Sequence, residues 1–572
     1  MPQNSYIQNN NTSKEILRTL YYFLRGSEWA YYSGDNMTNN EHSEVAVPDF
    51  IHAMLNPALY DHPVERCELI ETHISWVILT GEYVYKIKKP VDFGFLNFST
   101  LAKRKFYCEE ELRLNRRLAP ELYLEVIHLS GTSDTPILNG TDEPFEYGVK
   151  MLQFPQEMQL DHVLQRNELQ PSMIDSIARL ISNFHQNINV AGNDSHFGDP
   201  QHIWAPIEEN FVQICEKVKD LKTLRLLAGL YRWSLDSFEQ LETTLEQRKR
   251  QGFIRECHGD LHLRNIAWYK DKSLAFDCLE FNDNFRWIDV INEIAFFVMD
   301  LHDHNQHELA QRFLNQYLEL TGDYQGCLVL RFYMIYRAIV RAKVAAIRLG
   351  QLSEKPQEKE KVKQEFLNYL ELASSYKINK TPCIIITRGM SASGKSTLSQ
   401  PLLEKLSAIR IRSDVERKRL FNIKANKAAH EETGKGIYSA DATQATYTKL
   451  YELAGHVIDS GFTVIIDATF FKSHQRQFFK QLAVEKQVGF IILEFTASNE
   501  TLRKRIQSRT NDVSDADLTV LENQIKNWQP IEPDEQHALI TVDTETTFNV
   551  DKLVTQIEEV LNRSKCQPEM ES

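Results

Sequence analysis

CIIITRGMSASGKST spans residues 383–397, and its reading decides half of the fold. CIIITRG is a near-continuous apolar run closed by a glycine, as expected of a strand buried in a parallel sheet. GMSASGKS (389–396) fits G-x4-G-K-[ST] without a mismatch, and a helical pattern, Thr397–Leu406, follows it. Strand, glycine loop and helix in that order make a phosphate cradle. Gly389 and Gly394 let the backbone bend, so that the N–H groups of Ser391, Ala392, Ser393 and Gly394 turn inward. The helix N-terminus at Lys395, Ser396 and Thr397 adds a dipole that favours an anion. Lys395 is placed to reach the β- and γ-phosphates, and Ser396 to offer an oxygen to Mg²⁺.

Working outward, FTVIIDAT (462–469) and GFIILEFTA (489–497) repeat the apolar strand type with helical segments between them. Strands alternating with helices predict a parallel α/β sheet. Asp467 closes VIID and reads as a carboxylate of the Mg²⁺ shell, or as a helix-capping Asp. RSDVERKRL (412–420) sets Asp414 and Arg417 just after a short strand, AIRIR. LRKRIQSR (502–509) sets Arg503, Arg505 and Arg509 on a helix, with Arg505 and Arg509 on one face. Such arginines either cover a transferring phosphate as a lid or are solvated helix charges.

A second pattern of the same chemical kind lies far upstream. HGDLHLRN (258–265) matches H-x-D-x4-N. In that pattern Asp260 orients or accepts the proton of an attacking hydroxyl and Asn265 holds a metal ion. Asp277, at the end of the apolar run in LAFDCLEF, stands where a second metal-binding Asp belongs. Upstream, HISWVILTGEYVYKIKKPV (73–91) reads as two strands around the turn Thr80-Gly81. Lys86 lies on the strand expected to carry a phosphate-pairing lysine, and Lys88 shares its parity. FYCEEELRLNRRL (106–118) reads as a helix offering Glu111, or secondly Glu110, as that lysine's partner. FEYGVKMLQF (145–154) is a further strand, ended by Pro155. No G-x-G-x-x-G precedes Lys86, and Cys278 follows Asp277, so the pattern departs from that of protein kinases. Asp289 and Glu293 read as braces of the catalytic loop, His262 as a support of it, and His185 as a packed helix residue.

The bulk numbers bound the rest. The 572 residues allow several domains. A formal net charge of −14 argues against a broad nucleic-acid footprint. Eight scattered cysteines without a CxxC pair argue against a zinc ribbon and fit a reducing cytoplasm. No apolar run reaches the ~20 residues of a membrane span, and the N-terminus lacks a signal-peptide pattern. The expected organisation is a poorly ordered leader over 1–45, with a short helix near Ile16–Arg25 and Met37 as an alternative start. A kinase-like domain over 46–376 follows, split near 155 into two lobes; its charge run 354–364 is read as a solvated helix face. Then come a linker over 377–382, a P-loop domain over 383–562 and a tail over 563–572.

The P-loop half resembles the small-molecule P-loop kinases, the group of gluconate kinase, adenylylsulfate kinase and polynucleotide 5′-kinase. That resemblance implies that Asp414 contacts the acceptor hydroxyl. HGDLHLRN, with Gly after the first His, makes the first half resemble the aminoglycoside phosphotransferase-like branch of the protein-kinase fold. The two together, with ETHISWVILTGEYVYKIKKPVDFGFLNFST (71–100), resemble bacterial fusions of an aminoglycoside phosphotransferase-like domain with a P-loop ATP-binding domain. The resemblance implies a multidomain α/β and α+β chain, a two-lobed kinase-like domain followed by a P-loop domain with a parallel sheet. It implies ATP and Mg²⁺ as cofactors and γ-phosphate transfer to a small-molecule hydroxyl acceptor. Nucleic acid and membrane are not expected partners. The alternatives are that one domain is a regulatory ATP-binding or ATPase module, or that the P-loop domain phosphorylates nucleic-acid ends.

Overall fold

The computed structural model describes residues 47–94, 96–352, 356–378, 381–423, 436–508 and 518–565. The expected leader, its helix near Ile16–Arg25 and Met37 lie outside the described residues, as do Arg509 and most of the tail. The chain divides into two compact units, Met1–Asp300 with Phe332–Ser374, and Leu301–Arg331 with Ser375–Ser572. No helix among the described residues is long and apolar enough to cross a membrane.

The first unit opens with a six-stranded antiparallel sheet, β1 (Glu68–Glu71), β2 (Ser75–Leu79), β3 (Tyr83–Lys88), β4 (Tyr123–Gly131), β5 (Pro136–Leu138) and β6 (Glu146–Leu152). Its order is β1-β2-β3-β6-β4-β5. The two-residue side-chain period sorts β3 cleanly. Tyr85 and Ile87 join Trp76, Ile78, Ile127 and Leu129 in a core against Phe50 and Ile51 of the helix Asp49–Ala53 and Met54 that follows it. Lys86 and Lys88 therefore face the other side, where the helix Leu101–Asn115 lies. Thr100 caps that helix by accepting from the Lys103 N–H. Arg104, Cys108, Glu111, Leu114 and Asn115 form its buried stripe, at helical spacing, so two charged residues are carried into the interior. Arg104 is neutralised there by Glu146, at 2.8 Å.

The rest of this unit is largely helical and includes Pro171–Asn187, Pro200–Cys215, Leu221–Arg250 and Pro356–Ser375. Short strands β7 (Ile254–Glu256), β8 (Ile266–Tyr269), β9 (Lys272–Ala275) and β10 (Trp287–Asp289) pair as β7 with β10 and β8 with β9. The β8–β9 turn places Lys270 and Asp271 at φ 51° and 60°, the doubly left-handed form whose twist suits a two-residue hairpin. The catalytic-loop motif connects β7 to β8. This is a two-lobed, protein-kinase-like arrangement.

The second unit carries a five-stranded, wholly parallel sheet, β11 (Cys383–Arg388), β12 (Ile409–Arg412), β13 (Val464–Asp467), β14 (Gly489–Thr496) and β15 (Leu539–Asp543). The order is β12-β13-β11-β14-β15. From β11 the chain crosses to the edge at β12, returns to β13, and then passes β11 to reach β14 and β15; the switch of side at β11 opens a crevice beyond the carboxyl ends of the strands at the P-loop. Every residue of β11 and β13 is buried, in keeping with their apolar runs.

One expected boundary is corrected. The kinase-like domain was expected to run unbroken over 46–376, yet Leu301–Arg331 belongs to the second unit. The physical reason is the exposed edge of β12. Asn315, on the helix His307–Thr321, accepts from the Arg410 N–H at 2.7 Å and donates to the Ala408 carbonyl at 2.9 Å. Gln311 donates to the same carbonyl at 2.7 Å. Two side-chain amides thus serve backbone groups at the sheet edge, one of the ways a protein covers such an edge.

Candidate active sites

In the first unit the residues singled out from sequence converge. Lys86 Nζ lies 2.8 Å from Glu111 Oε1 and 2.6 Å from Asp277 Oδ1. Lys88 Nζ lies 2.6 Å from Glu111 Oε2 and pairs also with Glu280. Glu110, the second choice of partner, turns away to Arg113 at 2.8 Å. Burial alone would depress both lysines, but the carboxylates around them outweigh it and raise both. Burial likewise pushes the Glu111 carboxyl up, and the two lysines more than reverse this, to about 2. Glu280 is raised by burial and by the charge of Glu111 beside it, against the pull of Lys88. The Lys86 side chain is 15% exposed and that of Lys88 only 1%, so Lys86 is the one with an open side.

Asp277 is held in a left-handed backbone conformation, φ 62°, unusual for a residue other than glycine. Its N–H donates to the Tyr123 hydroxyl at 3.1 Å, and the next N–H, of Cys278, donates to Asn115 Oδ1 at 2.8 Å. These bonds fix the peptides on either side of the acid, with its side chain left half exposed.

The loop carrying Asp260 is braced from beneath. Glu293 accepts from the N–H of His258 at 2.7 Å and of Gly259 at 3.3 Å, and bonds His185 Nε2 at 2.9 Å. His185 is thus a bonded partner of the brace as well as a packed residue. Asp289 pairs with Arg248 at 2.6 Å and accepts from the Ile291 N–H at 2.8 Å, with no bond to the loop among these. His258 Nε2 sits 2.8 Å from the Phe276 carbonyl while Nδ1 receives the Asp260 N–H at 3.3 Å, so Nε2 carries the proton. Burial lowers this imidazole below its ordinary value, which keeps that neutral form. Gly259, at φ +90°, cannot be replaced without conflict, because a Cβ would lie 2.8 Å from the Phe285 carbonyl oxygen.

Asn265 Nδ2 donates to the Asp260 backbone oxygen at 3.0 Å and to Oδ2 at 2.9 Å. This leaves Asn265 Oδ1 as its acceptor, and that atom with the half-exposed Asp277 carboxylate makes an oxygen set suited to Mg²⁺. His262 Nε2 is 3.2 Å from Asp260 Oδ2. Burial pushes the Asp260 carboxyl up, but His262, His258 and Arg341 hold it well below the usual carboxylate range. His185, Cys257 and Glu293 are the described residues whose spacing would admit a metal ion. Glu293 is spent on the loop there, and burial keeps the Cys257 thiol protonated.

In the second unit the loop expected to cradle phosphate closes on itself at one point, where the Ser393 N–H donates to the Met390 carbonyl at 3.1 Å. A Cβ on Gly389 would lie 2.7 Å from the Phe495 carbonyl oxygen, so the tight exit from β11 needs glycine. Ala392 takes φ 65° and Gly394 φ 89° as the loop turns into the helix Lys395–Leu406. Ser396 Oγ donates to Asp467 Oδ2 at 2.6 Å, which brings two oxygens of the expected Mg²⁺ shell together. Lys395 Nζ bonds the carbonyls of Gly389 at 2.9 Å and Met390 at 2.8 Å. Ser393 is buried and Thr397 exposed. Asp414 is half-buried in the first turn of the helix Ser413–Leu420. Arg505 is engaged under the loop, with Ala392 O at 3.3 Å and Thr544 Oγ1 and O both at 2.9 Å. Arg503 is paired on the surface with Glu522.

Three partners of this site were not singled out from sequence. Gln524 accepts from the Ser391 N–H at 2.7 Å. Arg412 Nε lies 3.9 Å from Asp467 Oδ2, and its Nη1 is 3.2 Å from Glu319 of the helix His307–Thr321. Arg410 donates to the Ser396 carbonyl at 3.1 Å. The alternation IRIR carried a signal for both arginines, since same-parity cations on a buried strand must find partners. Glu319 and Gln524 carried none, because only folding brings them near.

Residues 384–531 match a family described as an AAA domain. An uncharacterized protein of Mycobacterium tuberculosis (strain ATCC 25618 / H37Rv) is 29% identical over 462 residues, 80% of this chain and 89% of that one. A choline kinase from Cryptosporidium parvum Iowa II is 14% identical over 57% of this chain and 94% of its own, with a TM-score of 0.36. A gluconokinase from Sinorhizobium meliloti 1021 is 18% identical over 32% and 94%, with a TM-score of 0.23. The chain is a two-domain kinase-like protein with a nucleotide-binding P-loop unit.

Proposed function

We propose that this chain is an ATP- and Mg²⁺-dependent phosphotransferase with two nucleotide sites, acting on hydroxyl groups of small polar molecules in the cytoplasm. It would then stand with the bacterial fusions of an aminoglycoside phosphotransferase-like domain and a P-loop ATP-binding domain. The observation that supports this reading is that each unit brings a lysine together with side-chain oxygens of the kind that suit Mg²⁺. In one it is Lys86 with Glu111 and Asp277, in the other Lys395 with the Ser396–Asp467 pair.

In the first unit, Lys86 pairs with the nucleotide phosphates, oriented by Glu111. Asn265 and Asp277 hold Mg²⁺, which screens the phosphate charge when bound. Asp260 aligns the acceptor hydroxyl. The acceptor oxygen bonds to the γ-phosphorus as the bond to the β–γ bridging oxygen breaks. ADP leaves, and the hydroxyl proton is released by way of Asp260. A carboxyl held well below its usual range suits this role, since the loose transition state asks for alignment more than for basicity. In the second unit Lys395 and the loop N–H groups of 391–394 hold the phosphates once Ser391 gives up Gln524 and Ser393 gives up the Met390 carbonyl; Ser396 and Asp467 would hold the ion, and Asp414 meets the acceptor. Arg505, bonded to the Ala392 carbonyl of the loop, completes that site.

The test is transfer from γ-labelled ATP to a pooled metabolite extract, comparing wild type, Asp260→Asn and Lys395→Ala. Each change is expected to remove one of two separable activities by at least ~10²-fold. Full turnover in the doubly changed protein would overturn the reading. ATP hydrolysis without a labelled acceptor, lost only in Lys395→Ala, would make the first unit regulatory. A salt-dependent activity on oligonucleotides would redirect the P-loop unit to nucleic-acid ends.

A further inference from the structure

Near Asp260 the first unit holds a cation that the phosphotransfer scheme uses only through its charge on that carboxyl. Arg337 and Arg341 lie four residues apart, on one face of the helix Cys327–Gln351. Arg337 Nη1 donates to the Gly259 carbonyl at 3.1 Å, and its Nε to Asn292 Oδ1 at 2.7 Å. Arg337 is thereby part of the scaffold directly beside Asp260. Arg341 lies one turn further along and is half-buried. Its Nε donates to the Tyr369 hydroxyl at 3.2 Å, and its guanidinium stands 5.5 Å from the centre of that ring. Among the described residues, no carboxylate lies within ion-pair distance of it, and its Nη groups make no hydrogen bond. Yet it belongs to the electrostatic surroundings of Asp260, and Asp260 and Asp300 to its own.

The Nη groups of this guanidinium can take up a ligand without giving up a hydrogen bond they already hold, and each bond to a charged oxygen would be a strong one. Its paired N–H groups, with the ring beneath them keeping the plane fixed, match two oxygens of one carboxylate or phosphate. Resting on the phosphotransferase reading of this unit, we infer that its acceptor carries an oxyanion, a carboxylate or a phosphate, besides the hydroxyl, and that Arg341 binds it. Polycationic aminoglycosides are poor acceptors on this account, since they would bring like charge to Arg341.

The test uses the full chain with Lys395→Ala, so that the second site is silent. Glucose, gluconate and glucose 6-phosphate serve as matched neutral, carboxylate and phosphate probes. Binding is read by calorimetry, and transfer by label from ATP. Gluconate or glucose 6-phosphate is expected to bind at least ~10-fold more tightly than glucose, and the stronger of the two identifies the oxyanion. Arg341→Gln, which keeps the stem and drops the charge, is expected to abolish that preference, and Arg341→Lys to restore part of it. The neutral probe and the melting temperature should hardly move. In transfer, Arg341→Gln should raise KM for the anionic probe about tenfold and leave KM for glucose where it was. Equal binding of all three probes, or an anion preference that survives Arg341→Gln, would overturn the inference. Arg341-dependent anion binding without Asp260-dependent transfer would keep the oxyanion site and sink the transferase reading instead.

Discussion

Lys86 and Lys88 show how two residues of one parity separate into different jobs. Both reach Glu111, but Lys86 keeps an open side toward Asp277, whereas Lys88 is closed in by Glu111 and Glu280. Lys86→Met should therefore cost at least ~10²-fold in Asp260-dependent transfer while the fold survives. Lys88→Met should instead destabilise by about 3–5 kcal/mol, because it strands buried carboxylates. Thermal melts beside transfer rates separate the two, and the reverse pattern would exchange their roles. Sequence could supply the parity of the pair but not the choice within it. The deciding partner, Glu280, joins β3 only through the fold. Asp260, Asn265 and the P-loop residues were more legible, because their chemistry is written within a few consecutive positions.

At the scale of elements, the loop between β7 and β8 depends on a carboxylate near the start of the helix Val290–Asp303. Burial pushes the Glu293 carboxyl up, and the bond from His185 with the nearby His258 brings it down to about 2, below the ordinary 4.5. Folding therefore weakens its hold on a proton. The stability it provides is complete above about pH 4.5 and is lost as pH falls through about 2. Glu293→Gln should lower stability at neutral pH by about 1.5–3 kcal/mol, the worth of hydrogen bonds to a charged acceptor. The gap between wild type and variant should then narrow as unfolding is followed from pH 4.5 toward 2. A gap that stays constant would mean that the brace works by shape alone. The bracing role was readable from the position of Glu293 after the motif. The part of His185 was not, since its helix lies far upstream.

At the scale of the molecule, the units are not consecutive stretches of chain. Leu301–Arg331 serves the parallel sheet although it precedes Phe332–Ser374 of the kinase-like unit. Composition gave no sign of this, because a helix that covers a strand edge has the same amphipathic pattern as one that packs in a bundle. Cutting at the apparent linker should thus yield a P-loop fragment, 377–572, with β12 uncovered and prone to self-association. Light scattering should find oligomers, and a synthetic 301–331 peptide should reduce them. A monomeric, nucleotide-binding fragment without that peptide would show that the helical cover is dispensable.

The amides of Gln311 and Asn315 that cover β12 also bear on how the protein is made. During synthesis they leave the ribosome while their strand is still untranslated, and the kinase-like unit cannot finish until Phe332–Ser374 has followed them. Domain-by-domain maturation, the usual course for a chain of this size, is interrupted here. One piece of the second unit must wait in the open while the first is completed. A pause in translation between 331 and 409 would lengthen that wait, leaving the apolar face of an amphipathic helical segment for chaperones to shelter.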